Sequence, residues 1–189
     1  SLTPRLPDDD RVAWLKTLTQ RLEEQSPPHE IEWVLCGHLH YQHHQYAQGK
    51  ACFLQTRLPS QTTLTTLADC AHKATPSDPT ARQTTLHDHL SEGIKAQIGE
   101  QTTRFAPLLT ALAERAYGKA LRRLCASDGE DIEPLVQLLL RYQHVLGFDI
   151  NEQAGHQHRH ALHYAAMKQN IALYRLLVTH GADETLRDA

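Results

Sequence analysis

The densest set of side chains able to do chemistry lies in Cys36-Gly37-His38-Leu39-His40, followed by His43, His44 and Cys52. Thiolate and imidazole are the donors that zinc takes into a tetrahedral set. On an extended strand Cys36, His38 and His40 share one face, because side chains alternate with a period of two. Structural zinc sites more often space ligands by two to four residues and add a second pair elsewhere. We therefore read these residues as the solvated face of a hairpin, with no resident metal and no cofactor. A zinc-stabilised domain using Cys36, His38 and His40 is the alternative. A second chemistry is a Cys–His nucleophile pair drawn from Cys36, Cys52, Cys70 or Cys125. With 14 histidines in 189 residues, chance proximity of the two types is expected. No stretch carries a papain-like or caspase-like signature, a G-x-S-x-G, a Walker A or an H-E-x-x-H motif. The chain is accordingly not expected to be an enzyme, with a fragment of one as the alternative. His87-Asp88-His89 reads as the polar face of a helix.

The elements that position these residues must come from a chain of ordinary globular composition, 40% hydrophobic and 22% charged. Its length suits one domain or two small ones. The net charge of -3 argues against a general nucleic-acid binder, whose footprint is basic. No window approaches about 18 consecutive apolar residues, so no membrane span is expected. Ser1 to Asp10 lacks an apolar signal-peptide core. Four widely spaced cysteines without a C-x-x-C pair predict reduced thiols and a cytoplasmic location. Nine glycines disfavour a Gly-rich phosphate loop.

Asp8, Asp9 and Asp10 supply capping oxygens and negative charge to a helix start. Val12, Leu15, Leu18 and Leu22 continue it at helical spacing until Ser26-Pro27-Pro28. Between Glu30 and Leu58, Ile31, Trp33 and Leu35 alternate with Glu30, Glu32 and Val34. That alternation predicts a β-hairpin near 30–57, turning at Gln48-Gly49. Two short helices are the competing reading, since Ile31, Val34, Leu35 and Leu39 also fit one helical face. Ser60 caps a helix bearing Leu64, Leu67 and Ala71. Leu86, Leu90, Ile94 and Ile98 step by four through the next helix. Phe105, Leu108, Leu109, Leu112 and Ala116 mark another, with Pro107 in its first turn.

The last two-fifths of the chain is more specific. His160-Ala161-Leu162-His163-Tyr164-Ala165-Ala166 resembles the ankyrin signature T-P-L-H-x-A-A. Ile171, Leu176-Leu177 and Gly181-Ala182-Asp183 follow at ankyrin spacing, so residues 151–183 look like an ankyrin repeat. Gly147-Phe148-Asp149-Ile150-Asn151 resembles the G-A-D-V-N that ends a repeat. Gly147 and Gly181 are 34 positions apart, near the ankyrin period of about 33. Residues 116–150 therefore resemble a degenerate repeat, with Ala116–Ala126 as inner helix and Ile132, Val136, Leu139 and Leu140 on the outer one. This copy lacks the T-P-L-H box. Leu186-Arg187-Asp188-Ala189 resembles the opening of a further repeat.

The resemblance implies a mainly α fold: an N-terminal helical region, 1–115, packed on two ankyrin-type helix-turn-helix repeats, 116–189. Two repeats leave an apolar side open, so the preceding helices must cover it. It also implies a protein–protein interaction module, similar to ankyrin-bearing effectors that intracellular bacteria deliver into host cells, and then a host cytosol location. In ankyrin proteins the turn between repeats projects as a finger. Here that finger carries His156, His158, Arg159 and His160, and Tyr164 and Lys168 extend its face along the inner helix. These six residues are the expected partner-binding set. A finger with three histidines and an arginine gains positive charge in mild acid, which favours an acidic protein partner.

Overall fold

The structure, a computed structural model, describes residues 8–24, 30–129 and 131–187, without the side chains of residues 8–12, 18, 22 and 23. Ser1–Pro7, Ser26-Pro27-Pro28, Asp188-Ala189 and the side chains of Asp8, Asp9, Asp10, Val12, Leu18 and Leu22 thus lie outside the described residues. Among those described, eleven helices form and no strand. The expected mainly α class holds.

The chain divides into two compact units, Ser1–Leu86 and His87–Ala189. In the first, α1 (Asp8–Glu24) packs on α2 (Glu30–Gln42), α2 on α3 (Tyr46–Phe53), and both on α4 (Gln61–Ala74). The hairpin expected near 30–57 is therefore corrected to a helix pair. The reason lies in which side chains are buried. Trp33, Cys36, Gly37 and His40 recur at spacings of three and four, and they form the inner face of α2. Of the alternating apolar residues only Trp33 does so: Ile31 is 75% and Leu35 is 58% exposed. Gly37 and Gly49 permit the close crossing of α2 and α3. A Cβ on Gly37 would meet the Phe53 ring at 2.6 Å, and one on Gly49 would lie 3.2 Å from the Gly37 carbonyl oxygen. At the start of α4 the Ser60 hydroxyl accepts the Thr63 N–H at 3.2 Å, as the capping signal predicts. Leu64, Leu67 and Ala71 are buried. Asp69 binds the Tyr41 hydroxyl at 2.6 Å, Lys73 at 2.8 Å and Arg82 at 2.9 Å. Those contacts hold its carboxyl below the usual range, with Lys73 the largest influence.

Helix α5 (Ala81–Ile98) runs into the second unit, where Leu90, Ile94 and Ile98 are buried. It is followed by α6 (Ala106–Ala113), α7 (Tyr117–Ala126), α8 (Ile132–Arg141), the short α9 (Gln143–Leu146), α10 (Ala161–Met167) and α11 (Ile171–Thr179). Pro107 sits in the first turn of α6, where its missing amide costs nothing. Gly147 ends α9 in the left-handed conformation at φ 69°. Helices α7 and α8 form one packed pair and α10 and α11 a second. Across the pairs α10 packs on α7 and α11 on α8, so like stacks on like. Ala120, Leu121, Leu124, Leu135, Val136, Leu139, Ala165 and Leu177 are buried between them. Of the Leu176-Leu177 pair that the ankyrin resemblance rests on, Leu177 is buried and Leu176 is half-buried.

The two units divide between Leu86 and His87, whereas the sequence places its boundary near 115/116. Residues 87–115 belong with the helix pairs for a packing reason. Gly93 approaches Leu138, the His89 ring binds the buried Tyr142 hydroxyl at 3.0 Å, and His87 binds the Tyr117 hydroxyl at 2.9 Å. Helix α6 lies against α7. The covering role expected of the preceding helices thus falls to α6 and the later turns of α5. His87 and His89 are inward-facing partners of tyrosines, not members of a solvated polar run.

Candidate functional site

In the second unit the segment between α9 and α10 is a tight projecting turn. Ala154 and Arg159 close it with an antiparallel bridge, in which the Ala154 N–H donates to the Arg159 carbonyl at 3.3 Å. Gly155 at φ 79° and His158 at φ 45° shape its tip. The Asn151 side chain staples its base to the next loop: Nδ2 donates to the Gly181 carbonyl at 3.3 Å, and Oδ1 accepts the Asp183 N–H at 2.8 Å. Gln153 Nε2 donates to the Arg187 carbonyl at 3.1 Å. The turn is held at its foot and exposed at its tip.

The six residues of the expected binding set do not share one surface. His156 and His158 are exposed, and Arg159 is half-buried. His160 is 1% exposed. It forms a capping box with His163 at the start of α10, whose Nδ1 accepts the His160 backbone N–H at 3.2 Å. Their Nε2 atoms reach the Asp183 and Leu186 carbonyls. Burial, reinforced by the neighbouring His163, lowers the pKa of His160, so it stays neutral and holds the turn rather than presenting charge. Lys168 is also committed within the fold. Its Nζ donates to the Ala126 carbonyl at 2.6 Å and to that of Ser127, and pairs with Asp128 at 2.9 Å. A cation on the last carbonyls of α7 neutralises that helix end.

Tyr164 lines a groove of about 300 Å³ together with Lys119, Arg122, Arg123, Ala126, Ala154 and Gly155. Three cations from consecutive turns of α7 thus face the turn and α10. Arg122 is held in place by Glu152, at 2.8 Å to its carboxylate and 2.9 Å to its carbonyl. Lys119 pairs with Glu114 at 2.7 Å. The sequence reading missed Lys119, Arg122 and Arg123. Their spacing of three and four along α7 was the available signal, since it puts them on one helical face.

The first unit gathers the other chemically capable set. With the segment helical, Cys36 and His40 fall on one face of α2, and Cys52 joins them from α3. The three are buried, and their donor atoms lie within 4.8 Å of one another. His38 is turned away, with its ring edge-on to Phe53 at 5.0 Å between centroids. The Cys36-x-His38-x-His40 arrangement therefore does not form: an i+2 residue lies on another side of a helix. The Cys52 thiol donates to the Cys36 sulfur at 3.5 Å. Thr19 Oγ1 is 3.2 Å from the same sulfur and 2.9 Å from His40 Nε2. Cys52 is the largest influence lowering the Cys36 pKa, to about 4, with His40 and Thr19 adding to it against burial. His40 is raised in turn by its bond to Cys36. Cys70 and Cys125 contrast with this. Burial pushes them up to about 11 and about 12, which leaves ordinary inert thiols.

No protein-family model matches the chain, and neither a curated protein nor a solved structure matches it. Among the described residues no helix is long and apolar enough to cross a membrane.

Proposed function

We propose that the second unit is a protein-recognition module of the ankyrin type that takes an acidic segment of a partner protein. The observation that supports this reading is the groove between α7, α10 and the 152–160 turn, with Lys119, Arg122, Arg123 and Tyr164 along it. The stacking of α7 with α10 and of α8 with α11 fits that repeat type. So do the staples from Asn151 and Gln153 to the next loop, 30 to 34 residues on. Glu152 holds Arg122 in the groove wall, where its side chain is 11% exposed, so the cations a partner meets first are Lys119 and Arg123 on the same face of α7. A partner carboxylate meeting these cations gains charge-assisted hydrogen bonds. Tyr164 supplies an aromatic surface of the kind that anchors interfaces. Exposed His156 and His158 add a polar rim at the tip of the turn.

The test is a panel of fluorescent peptides of equal length, each with one aromatic residue, that differ only in being Glu-rich, neutral or Lys-rich. Anisotropy titration should show the Glu-rich peptide binding most tightly, with an affinity that falls as salt is raised. Binding that ignores peptide charge would remove the support for this reading.

A further inference from the structure

The recognition role leaves the buried thiol–imidazole set of the first unit without a use. We propose that Cys36 Sγ, Cys52 Sγ and His40 Nε2 hold a zinc ion that ties α2 to α3. The geometry is close to what the ion requires. Two sulfurs at about 2.3 Å from a tetrahedral zinc stand about 3.8 Å apart. Here the two sulfurs are 3.5 Å apart, so a shift of tenths of an ångström admits the metal. The imidazole is prepared for ligation. Gln45 Oε1 accepts the Nδ1–H at 2.6 Å, which leaves the Nε2 lone pair directed at the cluster. Metal-binding histidines are oriented by such a bond on the other ring nitrogen. Thr19 Oγ1 adds an oxygen beside both Cys36 and His40.

Burial points the same way. Cys36 is 0%, Cys52 1% and His40 3% exposed, while Ile31 and Leu35 on α2 face outward. Apolar burial accounts for Trp33 and the thiols on that face, but not for a buried His40 while Ile31 and Leu35 stay in solvent. Coordination explains why the polar face is inside, because ligation compensates groups that packing alone would not favour there. Two sulfurs and one imidazole select a borderline-soft ion over magnesium or calcium. Binding releases to solvent the protons that the two thiols and the imidazole Nε2 carry, and fixes two helices that the turn at 43–45 joins. A disulfide between Cys36 and Cys52 is the rival chemistry, but it leaves the placement of His40 and Gln45 unexplained.

The experiment uses the full chain, stripped with chelator under reducing, oxygen-free conditions and titrated with cobalt(II). Thiolate-to-cobalt charge-transfer and tetrahedral ligand-field bands should grow to one equivalent and vanish as zinc displaces cobalt. Zinc should raise the Tm by more than about 5 °C. It should also protect two thiols from alkylation in the wild-type chain, a readout that needs no variant to fold. Cys52→Ser and His40→Gln should each weaken cobalt binding at least tenfold, while Cys70→Ser and Cys125→Ser leave it unchanged. Absence of charge-transfer bands, bands that persist in Cys52→Ser, or ready closure of a Cys36–Cys52 disulfide with no response to zinc would each overturn the proposal.

Discussion

The α7–α8 pair of the second unit and the α2–α3 pair of the first both join two short helices through a brief turn, yet they hide opposite kinds of side chain. Helix α8 buries Leu135, Val136, Leu138, Leu139 and Leu140, and α7 turns Lys119 and Arg123 outward. Helix α2 buries Cys36, Gly37 and His40 beside a single large apolar residue, Trp33, and leaves Ile31 and Leu35 in solvent. In the first case the hydrophobic effect accounts for the interior, and the capacity to do something is on the surface. In the second the interior itself holds the reactive groups. The proposed recognition would then lie on the outside of one unit and the proposed ligation inside the other.

The largest effect that bears on this contrast comes from truncation. A fragment 87–189 should melt cooperatively by circular dichroism. A fragment 116–189, which loses α6 and the buried positions Leu90, Ile94 and Ile98, should not. Native-like helicity and a sharp melt of the shorter fragment would show that α7 to α11 need no cover. Next in size is one substitution made twice. Leu139→Asp buries an unpaired carboxylate and should cost about 3–5 kcal/mol, while Leu35→Asp, on the exposed face of α2, should stay within about 0.5 kcal/mol. Chemical denaturation measures both, and equal costs would mean that the inward and outward faces of α2 have been exchanged.

Gly37→Ala tests the close crossing itself. Its Cβ would enter the Phe53 ring, so a loss of about 1–3 kcal/mol is expected. Combining it with Phe53→Leu should cost less than the two single losses added together, since the smaller side chain makes room. Strict additivity would show that the two positions do not meet. The smallest expected effect is a dependence on pH measured within the second unit. Burial lowers the pKa of His160, with His163 adding to it, and burial also lowers that of His87. A histidine with a lowered folded-state pKa leaves stability intact above its ordinary value of 6.5 and reduces it as the pH falls below that value. The melting temperature of 87–189 should therefore be lower at pH 5.5 than at pH 8, and His160→Asn should flatten the dependence. A rise in stability on acidification would reverse the sign argued here.

What could be read in the sequence follows the same division. The helix bearing Leu64 and Leu67 and the leucine-rich run of 132–140 were legible because burial there follows apolar periodicity. The capping role of Ser60 and the place of Pro107 were legible because each rests on local backbone chemistry. The 30–57 segment was not. Ile31, Trp33 and Leu35 imitate a strand, and of these only Trp33 is on the buried face, whose other members are Cys, Gly and His, which carry little weight in a hydrophobic pattern. That Cys52 replaces His38 beside Cys36 and His40 follows only once the segment is helical. In the turn, histidines were counted as one cationic tip because residue type does not reveal burial. His160 points inward to cap α10, and the charge that faces the groove comes instead from α7.

The most direct test of the recognition role is an inversion of specificity. Lys119→Glu combined with Arg123→Glu alters two outward groove residues and leaves Arg122 and its Glu152 contact in place. Peptide anisotropy on the full chain should then show the Glu-rich peptide losing at least tenfold in affinity and the Lys-rich peptide gaining, while the melting temperature stays near that of the parent. If both peptides bind parent and variant alike, the groove between α7 and α10 is not where this protein meets its partner.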